Sequence, residues 1–181
     1  VFENMHEFKG KKLRPVDRGD IDQDQIGDEE KKRFQPLLDL FKKEIDDNTK
    51  QIASTIAPFY GEVASQKFLS LLDINIGAVR EYSEATVVGN KSAQDAALAR
   101  LESNSDEFGV FFSGINPHLK KDTIKGLIAA HGAHHVLQIN QYKKKDYAHL
   151  DETWKMMRAH VYIIADTLTE AFVKQFPGKF S

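Results

Sequence analysis

The chain has no cysteine. That absence removes disulfides, thiolate zinc sites, iron–sulfur clusters and cysteine nucleophiles together. It also favours a compartment outside the cytoplasm. An excess of one charge is missing as well. The 25 basic and 27 acidic residues leave a formal net charge of -2 and a pI near 6.4, without the basic surplus of a general nucleic-acid binder. No apolar run approaches the ~20 residues of a membrane span. The chain opens at Val1 with nothing that reads as an intact signal peptide, as expected of a mature or trimmed form. A periplasmic or secreted protein is thereby favoured over a cytoplasmic one. Catalytic signatures are lacking too. There is no G-x-S-x-G elbow and no P-loop, and Ser, His and Asp have no triad spacing. A di-iron carboxylate centre needs Glu-x-x-His on two helices, and only Glu3-Asn4-Met5-His6 has that spacing. A haemerythrin-like site needs more His and carboxylate ligands than any inward face offers. These gaps point away from an enzyme.

What is present is a globular mix, 41% hydrophobic and 29% charged over 181 residues, enough for one domain with a core. Residues 1–27 read as an irregular charged arm. In it, Asp20-Ile21-Asp22-Gln23-Asp24 alternates acids as an EF-hand loop does. Gln25 stands at the glycine position, however, and Lys31 at the terminal glutamate position. Its low hydrophobicity reads as a disordered acidic arm.

From residue 28 onward the periodicity is helical and strand-like alternation is hard to find. Five helices are expected, over about residues 28–57, 62–88, 92–113, 120–144 and 147–176. Leu38, Phe41, Ile45, Ile52 and Ile56 form the first apolar stripe, and Leu150, Trp154, Met157, Val161, Ile164, Leu168 and Phe172 the last. Phe108, Phe111, Phe112, Trp154 and Phe172 are expected in the core. Breaks fall at Pro58 and Gly61, at Gly89-Asn90, at Gly114 and Pro117, and at Pro177-Gly178. Ser92 is the expected cap of the third helix. Lys143 to Lys145 suit the negative end of the fourth. Asp166 and Glu170 read as a solvated pair. The fold class is all-α, an up-and-down bundle of about five helices in a single domain over 28–181.

A repeat of 56 residues underlies these helices. Leu71-Leu72-Asp73-Ile74-Asn75 matches Leu127-Ile128-Ala129-Ala130-His131. Asn48 to Ile52 matches Asn104 to Phe108, which in turn matches His160 to Ile164. Each unit is a helical hairpin, with about two and a half copies sharing one core. Asn48, Asn104 and His160 fall at one equivalent position, and Asn75 and His131 at another. Polar residues recurring at inner positions imply a polar layer inside the bundle.

His131 and His135 are the most informative pair. At ~100° per residue they fall near one direction with Ile124 and Tyr142, flanked by Leu127, Ile128 and Ile139. Titratable groups on an apolar face need a partner or a ligand. One reading is a transition-metal site of His131, His135 and His160, holding zinc, iron or copper, with Asn75, Tyr82, Asn104 and Tyr142 lining a ligand pocket. The other is a structural layer in which these histidines bond Asn75, Tyr82 or backbone groups and fix helix register.

Residues from Ile45 onward resemble a family of uncharacterised bacterial helical-hairpin-repeat proteins, known mostly from Gram-positive bacteria. The resemblance rests on Asn48 through Ile56-Ala57-Pro58-Phe59-Tyr60-Gly61, on Asn104 through Phe112-Ser113-Gly114-Ile115-Asn116-Pro117, and on Leu-Leu-x-x-His helices. The ending Ala165-Asp166-Thr167-Leu168, then Gln175-Phe176-Pro177-Gly178-Lys179-Phe180, is its most specific part. It implies a repeated-hairpin bundle with no assigned function. The family carries histidine in successive hairpins. Here His131 keeps it and Asn75 replaces it, and a charged arm stands where the family has another helix before Ile45. The expected function is non-enzymatic binding of a small ligand or metal ion in the His/Asn layer. The alternative is a structural or protein-interaction bundle, or a sensory ligand-binding domain, in which that layer only sets packing.

Overall fold

The computed structural model describes residues 28–180, with side chains from residue 32. The acidic loop and Glu3-Asn4-Met5-His6 lie outside the described residues. Five helices follow one another: α1 (Asp28–Ser54), α2 (Ala57–Val88), α3 (Lys91–Ile115), α4 (Lys121–Lys143) and α5 (Tyr147–Gln175), then a short 3-10 turn, Pro177–Lys179. No strand occurs among the described residues. The fold is an all-α, up-and-down helical bundle, and no described helix is long and apolar enough to cross a membrane.

The chain divides into two compact units, Val1–Glu44 and Ile45–Ser181. Within the first unit, residues 32–44 of α1 are exposed throughout. This corrects the expected first stripe. Leu38 and Phe41 are 50% and 55% exposed, and in the second unit Ile45 and Ile52 are exposed as well. Only Ile56, 1% exposed, is core. Heptad-like spacing shows that a face is suited to burial, but not that the chain supplies the partner.

The second unit forms the core. The last turn of α1 enters it through Ala53 and the α1–α2 junction through Ile56, and Ser65 Oγ on α2 donates to the Ala53 carbonyl at 3.0 Å. Pro58 sits in the first turn of α2, where a missing N–H costs nothing. Gly61 separates two helical stretches of α2, as expected, at a kink within Ala57–Val88. Its φ of 83° and ψ of 171° are open to a residue without Cβ. Gly89 ends α2 in the left-handed region, with the Asn90 N–H closing onto the Ala85 carbonyl. Asn90 also caps α3, its side chain accepting from the Ala93 N–H at 3.0 Å. The cap is therefore Asn90, not Ser92. An asparagine just past a helix-ending glycine serves two helices, and residue preference alone did not separate it from serine.

Phe68, Leu71, Phe108, Phe112, Leu119, Ile124 and Phe172 fill the interior. Trp154 is 51% exposed, against its expected core place. Helix α2 packs on α3, α3 on α4 and α4 on α5, while α2 also meets α4. The α3–α4 approach is close because Gly109 has no side chain. A Cβ there would lie 2.7 Å from the Lys121 carbonyl oxygen.

Two bonds between neighbouring helices recur 56 residues apart. Asn104 Nδ2 donates to the Leu71 carbonyl at 3.1 Å, joining α3 to α2. His160 Nε2 lies 2.8 Å from the Leu127 carbonyl, joining α5 to α4. Both bonds span 33 residues, and donor and acceptor are related by the same repeat. In the first hairpin Asn75 Nδ2 also donates to Asn104 Oδ1 at 2.9 Å, so the buried asparagine pair is closed on itself. Asn48, the third equivalent, is exposed.

Two expectations follow for urea denaturation. Asn104→Ala removes two buried bonds and should lower stability by about 2–3 kcal/mol, while Asn48→Ala stays within about 0.5 kcal/mol. Equal effects would mean that the layer does not bear on stability. Gly109→Ala should cost about 1–3 kcal/mol by forcing α4 away from α3.

Candidate functional site

The second hairpin repeats the layer with imidazoles. His131 and His135 are one turn apart on α4, with ring centroids 4.8 Å apart and planes at 83°. His160 of α5 stacks over His131 at 6.4 Å and 17°, and meets His134 at 5.4 Å and 62°. Four imidazoles therefore meet across the α4–α5 contact. The carbonyl of Leu127 can only accept, so His160 carries its proton on Nε2. His131 Nδ1 is buried and has no hydrogen-bond partner. This is the difference between the hairpins: the asparagine pair closes on itself, whereas its histidine equivalent leaves a ring nitrogen unused.

The electrostatics follow from crowding. Burial comes first in pushing the His131 pKa down, with His160 and His134 adding like charge. Burial and the charges of His131 and His134 push His135 down to about 4 from 6.5. Both rings are held neutral near pH 7, the form that ligates metals or accepts a hydrogen bond.

The sequence-derived candidates separate into three groups. His131, His135 and His160 come together as expected, and His134 joins them. Sequence reasoning passed over His134, whose signal was that the i, i+3 partner of His131 also reaches the neighbouring helix. Asn75 and Asn104 form the closed pair of the other hairpin. Tyr82 is buried, but its hydroxyl pairs with the Asn140 amide at 3.1–3.3 Å rather than with a histidine. Tyr142 stands apart from the histidines: it is 66% exposed and packs edge-on against Tyr147, 6.2 Å away.

No group of three or more His, Asp or Glu among the described residues stands arranged to hold a metal ion. Two grooves among the described residues lie apart from the histidine cluster. One, about 500 Å³, lies between α4 and α5 beside His118, Thr123, Asp166 and Glu170. Glu170 there pairs with Lys174 at 3.7 Å, as a solvated face should. The other, about 330 Å³ and mainly apolar, lies between α3 and α4 beside Leu101, Ala129, Gly132 and Val136. The chain matches no known protein family, no curated protein and no solved structure.

The lowered histidine values set a pH dependence. Unfolded imidazoles take up protons near pH 6.5, before the folded ones do, so acid favours the unfolded chain. The contribution is complete above about pH 6.5 and is lost as pH falls toward about 4. Asp106, held below its ordinary 3.8 by Lys121 and Lys125, loses its share only at lower pH. Urea denaturation across pH 7 to 4 should show a fall of up to about 3 kcal/mol, largely flattened in His135→Gln. A wild-type profile no steeper than that of His135→Gln would mean that the rings stay ordinary.

Proposed function

We propose that this chain is a non-enzymatic binding bundle whose α4–α5 hairpin takes a metal ion or small ligand at His131, His134, His135 and His160. The single observation carrying this reading is the unpartnered Nδ1 of buried His131 at the position where the other hairpin closes its asparagine pair. A buried acceptor left unused costs about 1–3 kcal/mol, and a ligand at that nitrogen recovers it. Imidazoles on two helices suit zinc, iron or copper. Because no three-ligand geometry stands preformed, such an ion binds by turning the rings, with His160 exchanging its bond to Leu127. The first hairpin then serves as scaffold and the second as site.

A structural reading is favoured by a different observation, the repeat-equivalent bonds from Asn104 to Leu71 and from His160 to Leu127. On that view all four histidines only set register, and the protein works through its surfaces.

One double variant separates the two. His131→Asn with His160→Asn rebuilds in the second hairpin the pair found in the first, and should fold. In the binding reading, zinc, copper or ferrous iron at a hundredfold excess over Kd raises the wild-type Tm by about 5–10 °C, and the double variant does not respond. A wild type silent to all three metals removes the metal, and a response surviving the double substitution places the ion elsewhere.

A further inference from the structure

The repeat relates α3 to α5, yet the two helices are covered differently. Helix α3 has two packed faces. One, through Asn104, meets α2 within its hairpin. The other, around Leu98, Leu101, Ser105 and Gly109, meets α4 of the next hairpin. Ser105 is 2% exposed there. Helix α5 keeps the first contact, through His160 to Leu127. Its second face holds the equivalents Trp154, Met157, Val161 and Ala165. Of these only Met157 is buried, while Trp154 is 51% and Val161 44% exposed. The same chain therefore shows what covers such a face: an antiparallel helix presenting a strip of small residues, as α4 does with Ala129, Gly132 and Ala133 along α3.

Charge refines the match. Glu102 lies on the rim of the α3–α4 groove beside Ala129 and Gly132. Its repeat equivalent on α5 is Arg158, of opposite sign. A helix on α5 therefore meets a cation where α4 meets an anion. The lysine pair with which α4 holds Asp106, at 3.1 and 3.2 Å, has no counterpart need, because the equivalent residue on α5 is Tyr162. We propose that the Trp154–Val161–Ala165 face of α5 is an interaction surface for one amphipathic helix of a partner protein, antiparallel to α5, with a small-residue strip and an acidic residue opposite Arg158. The histidine cluster lies on the other contact face of α5, so this surface stands or falls independently of ligand binding there.

Trp154 is the only tryptophan in the chain, so its emission reports on this face directly. The probes are stapled helical peptides of the α4 sequence, Lys121–Lys143, unmodified and with Ala129→Asp. The expected result is a saturable blue shift of Trp154 emission in the full chain, with the Ala129→Asp peptide binding about two- to fivefold tighter. Val161→Glu, at an exposed position, should retain helical circular dichroism and lose the shift. Three results overturn the proposal: no shift up to roughly millimolar peptide, a shift unchanged in Val161→Glu, or burial of Trp154 by the chain's own concentration-dependent dimerisation in sedimentation runs. The last would give the face to a second copy.

Discussion

Everything else in the bundle is arranged around one kind of bond, from a side-chain N–H on the second helix of a hairpin to a main-chain carbonyl in the middle of the first. Asn104 to Leu71 and His160 to Leu127 are the two instances. Both carbonyls lie within regular helix, and each gains an additional donor from across the interface. A side chain short enough to make that bond must bring the two helix axes close, and it does so at one register only, because sliding by a residue points the donor elsewhere. Apolar contacts between Phe68 and Phe108, or Phe68 and Phe112, tolerate small slips. The polar bond does not. It sets which turn of one helix faces which turn of the other, and the aromatic core fills in around that choice.

The same bond explains how the two hairpins can share a framework while differing in chemistry. Asparagine offers a donor and an acceptor on one small amide, so two of them satisfy each other and the backbone together. Imidazole offers one of each on opposite sides of a ring. When His160 spends its donor on Leu127, its remaining nitrogen does not reach His131 as Asn104 Oδ1 reaches Asn75. The surplus capacity on His131, with the crowding of His134 and His135, is a geometric result of exchanging one residue type at two repeat-related positions.

Helix positions were legible in the sequence because they rest on spacing, and spacing survives without knowledge of neighbours. The five helices, the stop at Gly89 and the nearness of His131 to His135 follow from it. What stayed hidden depended on partners. Phe41, Ile45, Trp154 and Val161 carry sound apolar periodicity and are exposed, since a stripe records what a helix can bury and not whether an opposite helix exists. Gly109 gave no signal, because its importance lies in an approach by Lys121 from another helix. Tyr142 shares a helical direction with the histidines, but lies two turns further along α4, exposed beside Tyr147.

The C-terminal segment joins places far apart in the chain. Phe59 packs against Phe172, Phe176 and Phe180 at 5.4–5.6 Å, and Lys179 reaches the Pro58 carbonyl. The Tyr60 hydroxyl meets Gln175 at 2.7 Å across 115 residues, and Asn116 ties that hydroxyl to the Ala171 carbonyl. The hairpin bonds span only 29–33 residues. Closing the longer loop loses more chain entropy and gains its contacts only once both hairpins are in place. The end of α5 works as a latch: its opening would free the helix from the core while the hairpins keep their internal register.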